Sequence, residues 1–242
     1  MFTIITITLN DEDGFKKTSD SLKNQTCKDF QWIIKSGSEK SDYTRKLSSW
    51  FKNKIIIHGK DNGIYDAMNK AIKSTKMKWT IFLNGGDFLA SKDTLLKIKK
   101  LIERYKLNSE NKIIICGGSK YAYKSNKSFS SYSKSLNDCN HIFSYRIPTA
   151  HQSMVFSQAI TNNQLYDDSY KICGDGKYFW EAIKKKAQVF YTKDLISSFQ
   201  FGGLSYQVGI LKQKEVYRFI KSTRNLNSIV ITFACVFSFI TT

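Results

Sequence analysis

Carboxylates and amides gather at a few points in this 242-residue chain. The densest cluster is Asp61-Asn-Gly-Ile-Tyr-Asp-Ala-Met-Asn-Lys-Ala71. It is followed by Asn84-Gly85-Gly86-Asp87, His151-Gln152 and Gly174-Asp175. A carboxylate can take a proton as a general base, or bind a hard divalent cation through oxygen. Each of these groups also has a plainer role. Asp61 and Asp175 stand at the starts of helical runs, where Asp is a favoured cap, and Asp87 ends a strand in a turn. Asp66 and Asn69, three residues apart, share a helix face and can point into one pocket. Thiolate metal chemistry has no support. The five cysteines (Cys27, Cys116, Cys139, Cys173 and Cys235) are widely spaced and include no CxxC pair. They read as free buried thiols of a reducing compartment.

The elements that must position these groups alternate. Apolar, β-branched runs at 2–9, 30–35, 54–58 and 78–83 predict strands, and helical spacing at 13–24, 43–51 and 64–73 predicts helices between them. Short connections and near-continuous apolar strands point to a doubly wound α/β sheet with a buried parallel part. Such sheets bind ligands at the carboxyl ends of their strands, where Thr8-Leu9-Asn10, Ser36-Gly37-Ser38, the Asp61 loop and Asn84 to Asp87 all fall. The second half is less regular. Helices are expected at 95–105 and 174–185, with strands at 112–116, 153–156, 189–192 and 197–201. The Ser- and Lys-rich stretch 119–135 is a hairpin or a surface loop. From 208 onward a basic amphipathic helix leads into a run of about twelve mostly apolar residues, short of the roughly 20 a membrane span needs. That tail packs on the domain, pairs with another copy to form a homodimer, or lies in the membrane interface.

Lys and Arg number 38 against 20 Asp and Glu, a net charge of +18. A balance of this kind suits nucleic acid, an anionic membrane surface or phosphorylated partners, although a lysine-rich background accounts for part of it. A hydrophobic fraction of 41% excludes global disorder, and a single proline without any repeat excludes a fibre. The first residues, MFTIITITLNDED, read as a strand and not as a signal peptide, which makes the cytoplasm the default location.

The runs 61–71 and 79–87 resemble the family 2 glycosyltransferases of bacterial surface-polysaccharide synthesis (O-antigen, capsule and colanic-acid type), which use nucleotide-diphosphate sugars. The resemblance rests on a first strand ending in a polar turn, the DNGIYDAMNKAI run, a strand leading into an acidic turn, then His151-Gln152, Gly174-Asp175 and Phe201-Gly-Gly-Leu-Ser205, all in order over residues 2–206. It implies a GT-A fold: an α/β, Rossmann-like mixed sheet flanked by helices over residues 1–206. Residues 1–90 would form the donor-nucleotide half and 91–206 the acceptor half, with a C-terminal basic amphipathic helical appendage at 207–242. It also implies an inverting transfer from a UDP- or GDP-sugar to a lipid-linked glycan, by a peripheral enzyme at the inner face of the cell membrane.

The resemblance assigns roles residue by residue. Asp87 would hold Mn²⁺ or Mg²⁺ with a neutral oxygen from Asn84; the family's turn often carries two aspartates, and only one is present here. Asp175 would be the general base, with Asp167 and Asp168 as acidic rivals nearby. The donor would meet Thr8, Leu9, Asn10, Ser36, Asp61, Gly63, Tyr65, Asp66, Asn69, Asn84 and Gly85. The acceptor would meet His151, Gln152, Trp180 and Glu181. Many relatives carry a base-reading aspartate after the second strand, where this chain has Lys35-Ser36; Asp61 could take over base or ribose contacts. Other readings predict differently. A basic nucleic-acid- or nucleotide-binding module lacks any RRM, KH, helix-turn-helix or zinc-finger pattern. A nucleotidyltransferase would need a glycine-rich, basic segment where LNDEDG stands. An inactive transferase-like protein would follow from the reduced acidic turn.

Overall fold

A computed structural model describes residues 1–38, 42–122, 128–139, 146–200 and 210–224. The strands are β1 (Phe2–Thr8), β2 (Phe30–Ser36), β3 (Lys54–His58), β4 (Trp79–Phe82), β5 (Phe88–Leu89), β6 (Ile113–Ala122), β7 (Ser128–Ser131), β8 (Met154–Ser157) and β9 (Gln188–Gln200). The helices are α1 (Glu12–Lys23), α2 (Asp42–Leu47), α3 (Ile64–Ile72), α4 (Thr94–Arg104), α5 (Leu136–Cys139), α6 (Gln158–Thr161), α7 (Gly174–Lys184) and α8 (Ile210–Arg224). All the strands join one mixed sheet in the order β3-β2-β1-β4-β8-β6-β9-β5, with β7 paired to the end of β6.

β1 to β4 are mutually parallel and linked by helical crossovers. Their side chains alternate between two cores. Ile5, Ile33 and Phe82 face α3, α7 and α8, where Met68, Ala71, Tyr178, Phe179, Phe219 and Ile220 are buried. Ile4, Trp32 and Ile81 face α1 and α4, which supply Phe15, Leu22, Leu95 and Ile98. Burial on both faces explains the near-continuous apolar runs. β8 enters antiparallel beside β4 and joins this half to β6, β9 and β5.

The second half departs from its sequence pattern in two places. β9 is one strand, although Lys193-Asp194 breaks the apolar run into two; the register shifts opposite Gly117 and Gly118 let the ladder continue. A Cβ on Gly117 would lie 2.6 Å from Ile196, so only glycine admits that packing. The stretch 119–135 resolves toward the hairpin, with β6 running on to Ala122 and β7 returning beside it.

The C-terminal helix is not an appendage over its described length. Val216, Phe219 and Ile220 of α8 are buried in the core shared with α3 and α7. The Phe201-Ser205 motif, the 206/207 boundary and the apolar run near the C-terminus lie outside the described residues. Among the described residues, no helix is long and apolar enough to cross a membrane.

Candidate active site

β4 delivers its chain into the acidic turn beside β1. Leu83 N–H donates to the Ile5 carbonyl at 2.8 Å and Gly85 N–H to the Ile7 carbonyl at 2.9 Å, so the turn leaves the sheet beyond the end of β1. Gly86 takes φ +93°, open to glycine at little cost, and Asp87 N–H closes the turn on the Asn84 carbonyl at 3.0 Å. Thr18 of α1 clamps the turn from below. Its buried hydroxyl lies 2.7 Å from the Asp87 carbonyl and 3.2 Å from that of Asn84, and it accepts Gly86 N–H at 3.1 Å.

Two oxygens project from this turn. Asp87 Oδ2 accepts a hydrogen bond from Gln152 Nε2 at 3.0 Å, and burial pushes the carboxyl up to about 7. Asn84 Oδ1 is buried without a hydrogen-bond partner. A buried carbonyl oxygen without a donor is costly, and a divalent cation would satisfy it together with the carboxylate. The donor set is oxygen only, which suits Mg²⁺ or Mn²⁺, and two protein oxygens would leave most of the shell to water or a ligand. No group of three or more His, Cys, Asp or Glu capable of holding a metal occurs among the described residues.

A cleft of about 570 Å³ joins this turn to Asp175 at the start of α7. The Asp175 carboxyl is pushed up to about 6 by burial, against the pull of the Gly176 N–H that it accepts at 2.8 Å, with Glu215 adding to the rise. Burial therefore outweighs the stabilisation of a carboxylate expected at a helix N-terminus, and leaves a base that is ionised yet basic at neutral pH. Tyr121, Tyr132 and Phe199 supply an aromatic wall, and Lys134, Arg146 and Lys212 a basic one.

A family model described as glycosyl transferase family 2 matches residues 3–185. The chain belongs to this family. A glycosyltransferase of PGL/p-HBAD biosynthesis from Mycobacterium tuberculosis is 35% identical over 107 residues, which is 42% of this chain and 41% of that protein. The same figures hold for the Mycobacterium bovis protein. The match thus spans about two fifths of these curated relatives. Solved structures share the GT-A fold at low identity. Staphylococcus aureus TarS 1–349 in complex with UDP-GlcNAc superposes with a TM-score of 0.71 at 14% identity, over 97% of this chain and 70% of that one. A Pyrobaculum calidifontis mannosyltransferase in complex with GDP-Man and Mn²⁺ gives 0.65 at 11%, over 93% and 64%.

Six of the residues singled out from the sequence line the one cleft: Asn84, Gly85, Asp87, His151, Gln152 and Asp175. His151 does so as a neutral core residue. Burial lowers its ring to about 3, and Nε2 lies 2.5 Å from the Tyr166 hydroxyl, so it takes no proton near pH 7. Thr8, Leu9, Asn10 and Ser36 stand at the ends of β1 and β2 and do not line that cleft, although Thr8 lies against Gly85 of the acidic turn. Leu9 is exposed, Asn10 Oδ1 accepts the Ser38 hydroxyl, and Thr8 bonds the Tyr43 hydroxyl.

The DNGIYDAMNK run mostly positions other groups. Asp61 is held by Lys35 Nζ at 2.7 Å and Lys70 Nζ at 2.9 Å, so it does not stand open to a ribose. The left-handed Gly63 (φ +135°) admits the Lys171 side chain, whose Nζ would lie 3.2 Å from a Cβ there. Tyr65 offers no stacking surface: its ring is buried against Tyr166 and its hydroxyl donates to the Ile172 carbonyl. Asp66 and Asn69 do not share a pocket. Asp66 accepts Asn62 N–H and pairs with Lys70, which holds its carboxyl below the usual range, whereas Asn69 brackets the Tyr166 backbone with two hydrogen bonds. Trp180 and Glu181 do not line the cleft either. Trp180 is buried with its indole N–H on the Arg146 carbonyl, and Glu181 pairs with Lys184. Sequence reasoning missed Thr18, Lys35 and Glu215; a lysine in an otherwise apolar strand was the one visible signal among them.

Proposed function

We propose that the chain is an inverting glycosyltransferase that moves a sugar from a UDP- or GDP-linked donor to a hydroxyl of a lipid-linked glycan, in surface-polysaccharide synthesis of the O-antigen, capsule or colanic-acid type. One observation carries the reading: a single cleft holds the Asn84–Asp87 oxygens and a raised, half-buried Asp175. Family membership and GT-A neighbours in complex with UDP-GlcNAc or GDP-Man support it.

In this mechanism Asp175 takes the acceptor hydroxyl proton while that oxygen bonds to the anomeric carbon. The carbon–oxygen bond to the diphosphate breaks on the opposite face, the electron pair leaves with the nucleoside diphosphate, and the configuration inverts. Asp87 and Asn84 would hold Mn²⁺ or Mg²⁺, which supplies charge neutralisation for the leaving diphosphate. Gln152 fixes the Asp87 carboxylate through its hydrogen bond. Tyr121, Tyr132 and Phe199 offer faces for a sugar ring, and Lys134, Arg146 and Lys212 favour an anionic acceptor. The net charge of +18 would hold the enzyme at the anionic inner face of the cell membrane.

Asp175→Asn tests the reading. Transfer should fall by about 10²- to 10⁴-fold, the range for loss of a general base, while UDP-GlcNAc or GDP-Man still raises the melting temperature in the presence of Mn²⁺. Retained transfer would place the base elsewhere. No thermal shift of the unaltered chain across a broad donor panel would refute the donor class.

A further inference from the structure

Three consecutive backbone N–H groups precede Asp175 and converge on one side chain. Glu215 Oε1 accepts Lys171 N–H at 2.6 Å, and Oε2 accepts Ile172 and Cys173 N–H at 2.9 Å each. Successive N–H groups turned to one point make an anion site, and here α8 fills it with a carboxylate of the same chain. Glu215 is 4% exposed, so these bonds are its main compensation for lost water. The rest of the segment is held from α3: the Tyr65 hydroxyl donates to the Ile172 carbonyl at 2.8 Å, and Lys171 Nζ donates to the Asn62 carbonyl at 2.6 Å. Two residues beyond Cys173, Asp175 enters the cleft, which Lys212 of the same α8 also lines.

We propose that Glu215 is a positioning residue for the general base: it fixes the 171–173 backbone from which Asp175 projects, which makes α8 part of the catalytic apparatus. The inference rests on the reading of Asp175 as the base. A base misplaced by about 1 Å can cost on the order of 10²-fold, and a three-point carboxylate clamp is a rigid way to prevent that. Charge contributes separately. The charged groups acting on Asp175 are Glu215 and Lys212 of α8; Tyr65 of α3, Tyr166 from the loop ahead of α7 and Cys173 at the helix start also face it, and its carboxylate raises all three, keeping them neutral. Glu215 is the acidic member of that set and disfavours the ionised base, whereas Lys212 favours it.

The test uses the full chain, with release of nucleoside diphosphate from the donor as the readout, so that no acceptor need be known. Glu215→Gln leaves an amide N–H facing a backbone N–H and removes the charge. Its kcat should fall about ten- to a hundredfold with donor KM within about twofold, and the acid limb of its pH profile should move to lower pH. Glu215→Asp keeps the charge but shortens the reach; kcat should fall with the limb unmoved, and this variant serves if the amide form does not fold. Hydrogen exchange at the 171–173 amides should quicken in both. A folded Glu215→Gln protein with kcat within about twofold of the parent, or an activity loss that follows only the folded fraction with the limb unmoved, overturns the proposal. Asp175→Asn run alongside separates the two readings. If it stays active, the base assignment fails and the proposal with it; if it is dead beside an unaffected Glu215→Gln, the proposal alone fails.

Discussion

Replacing Lys35 by methionine would test whether Asp61 is structural. Lys35 is 1% exposed, and its ammonium donates to the Ser36 carbonyl at 2.9 Å, the Gly59 carbonyl at 2.6 Å and Asp61 Oδ2 at 2.7 Å. Methionine keeps the apolar stem and removes all three donations. Breaking a buried ion pair on one side costs about 3–5 kcal/mol, because the partner charge stays buried. Lys70 still reaches Asp61 Oδ1, which places the loss near the lower end, about 3 kcal/mol. For a domain of this size each kcal/mol shifts Tm by about 2–4 °C, so Lys35→Met should melt about 6–12 °C below the parent. Asp61→Asn should also melt lower. The double variant should lose less than the sum of the two, since both changes remove one interaction. Donor affinity of Asp61→Asn, read by calorimetry with UDP-GlcNAc or GDP-Man, should stay within about threefold, against the tenfold per 1.4 kcal/mol that a lost direct contact would give. A Lys35→Met protein melting within about 2 °C of the parent would refute the buried pair. An Asp61→Asn protein that melts normally but loses donor would make Asp61 a ligand.

Other outcomes follow from the same geometry. With the Asp175 carboxyl at about 6, activity at saturating donor and Mn²⁺ should fall at least about tenfold per unit below that pH; an acid limb near 4 would contradict the burial. The folded value lies above the unfolded one, so the ionised form opposes folding, and Asp175→Asn should melt higher than the parent at pH 8, with the gain vanishing toward pH 4. Gly174→Ala puts a Cβ 2.6 Å from the Tyr65 ring and should cost about 1–3 kcal/mol in thermal melts. Thr18→Val removes the hydroxyl under the acidic turn and should weaken Mn²⁺-dependent UDP binding several-fold by calorimetry; unchanged affinity would show that the turn holds its shape without Thr18.

The parallel half of the sheet was legible because buried parallel strands write long apolar runs, and β1 to β4 do so. The acidic turn and the Gly174-Asp175 start were legible as local patterns. What escaped is long-range. Glu215 meets residues 42 to 44 positions away and Thr18 reaches a turn 66 to 69 positions away, and no local periodicity encodes either. The DNGIYDAMNK run misled in a specific way. Its polar side chains suggested ligand contact, but Asp61, Asp66 and Asn69 spend their hydrogen bonds on the protein. β9 escaped because Lys193-Asp194 imitates a turn inside a ladder that tolerates a bulge there.

The aromatic column under the cleft has a consequence for how such a protein can diversify. Tyr65 stacks on Tyr166 and Tyr166 on Tyr178, with centroids 5.5 and 4.1 Å apart. Phe82 meets both Tyr166 and His151, at 5.4 and 4.9 Å. Two of these rings, Tyr65 and Phe82, come from the first ninety residues, and the other three from beyond residue 150. A genetic crossover between the halves would have to bring matching rings on both sides of the column, or leave a void or a clash in this buried core. Under the proposed function, a change of ligand preference would come from point substitutions lining the cleft, such as at Tyr132 or Lys134, and not from exchange of one half for another.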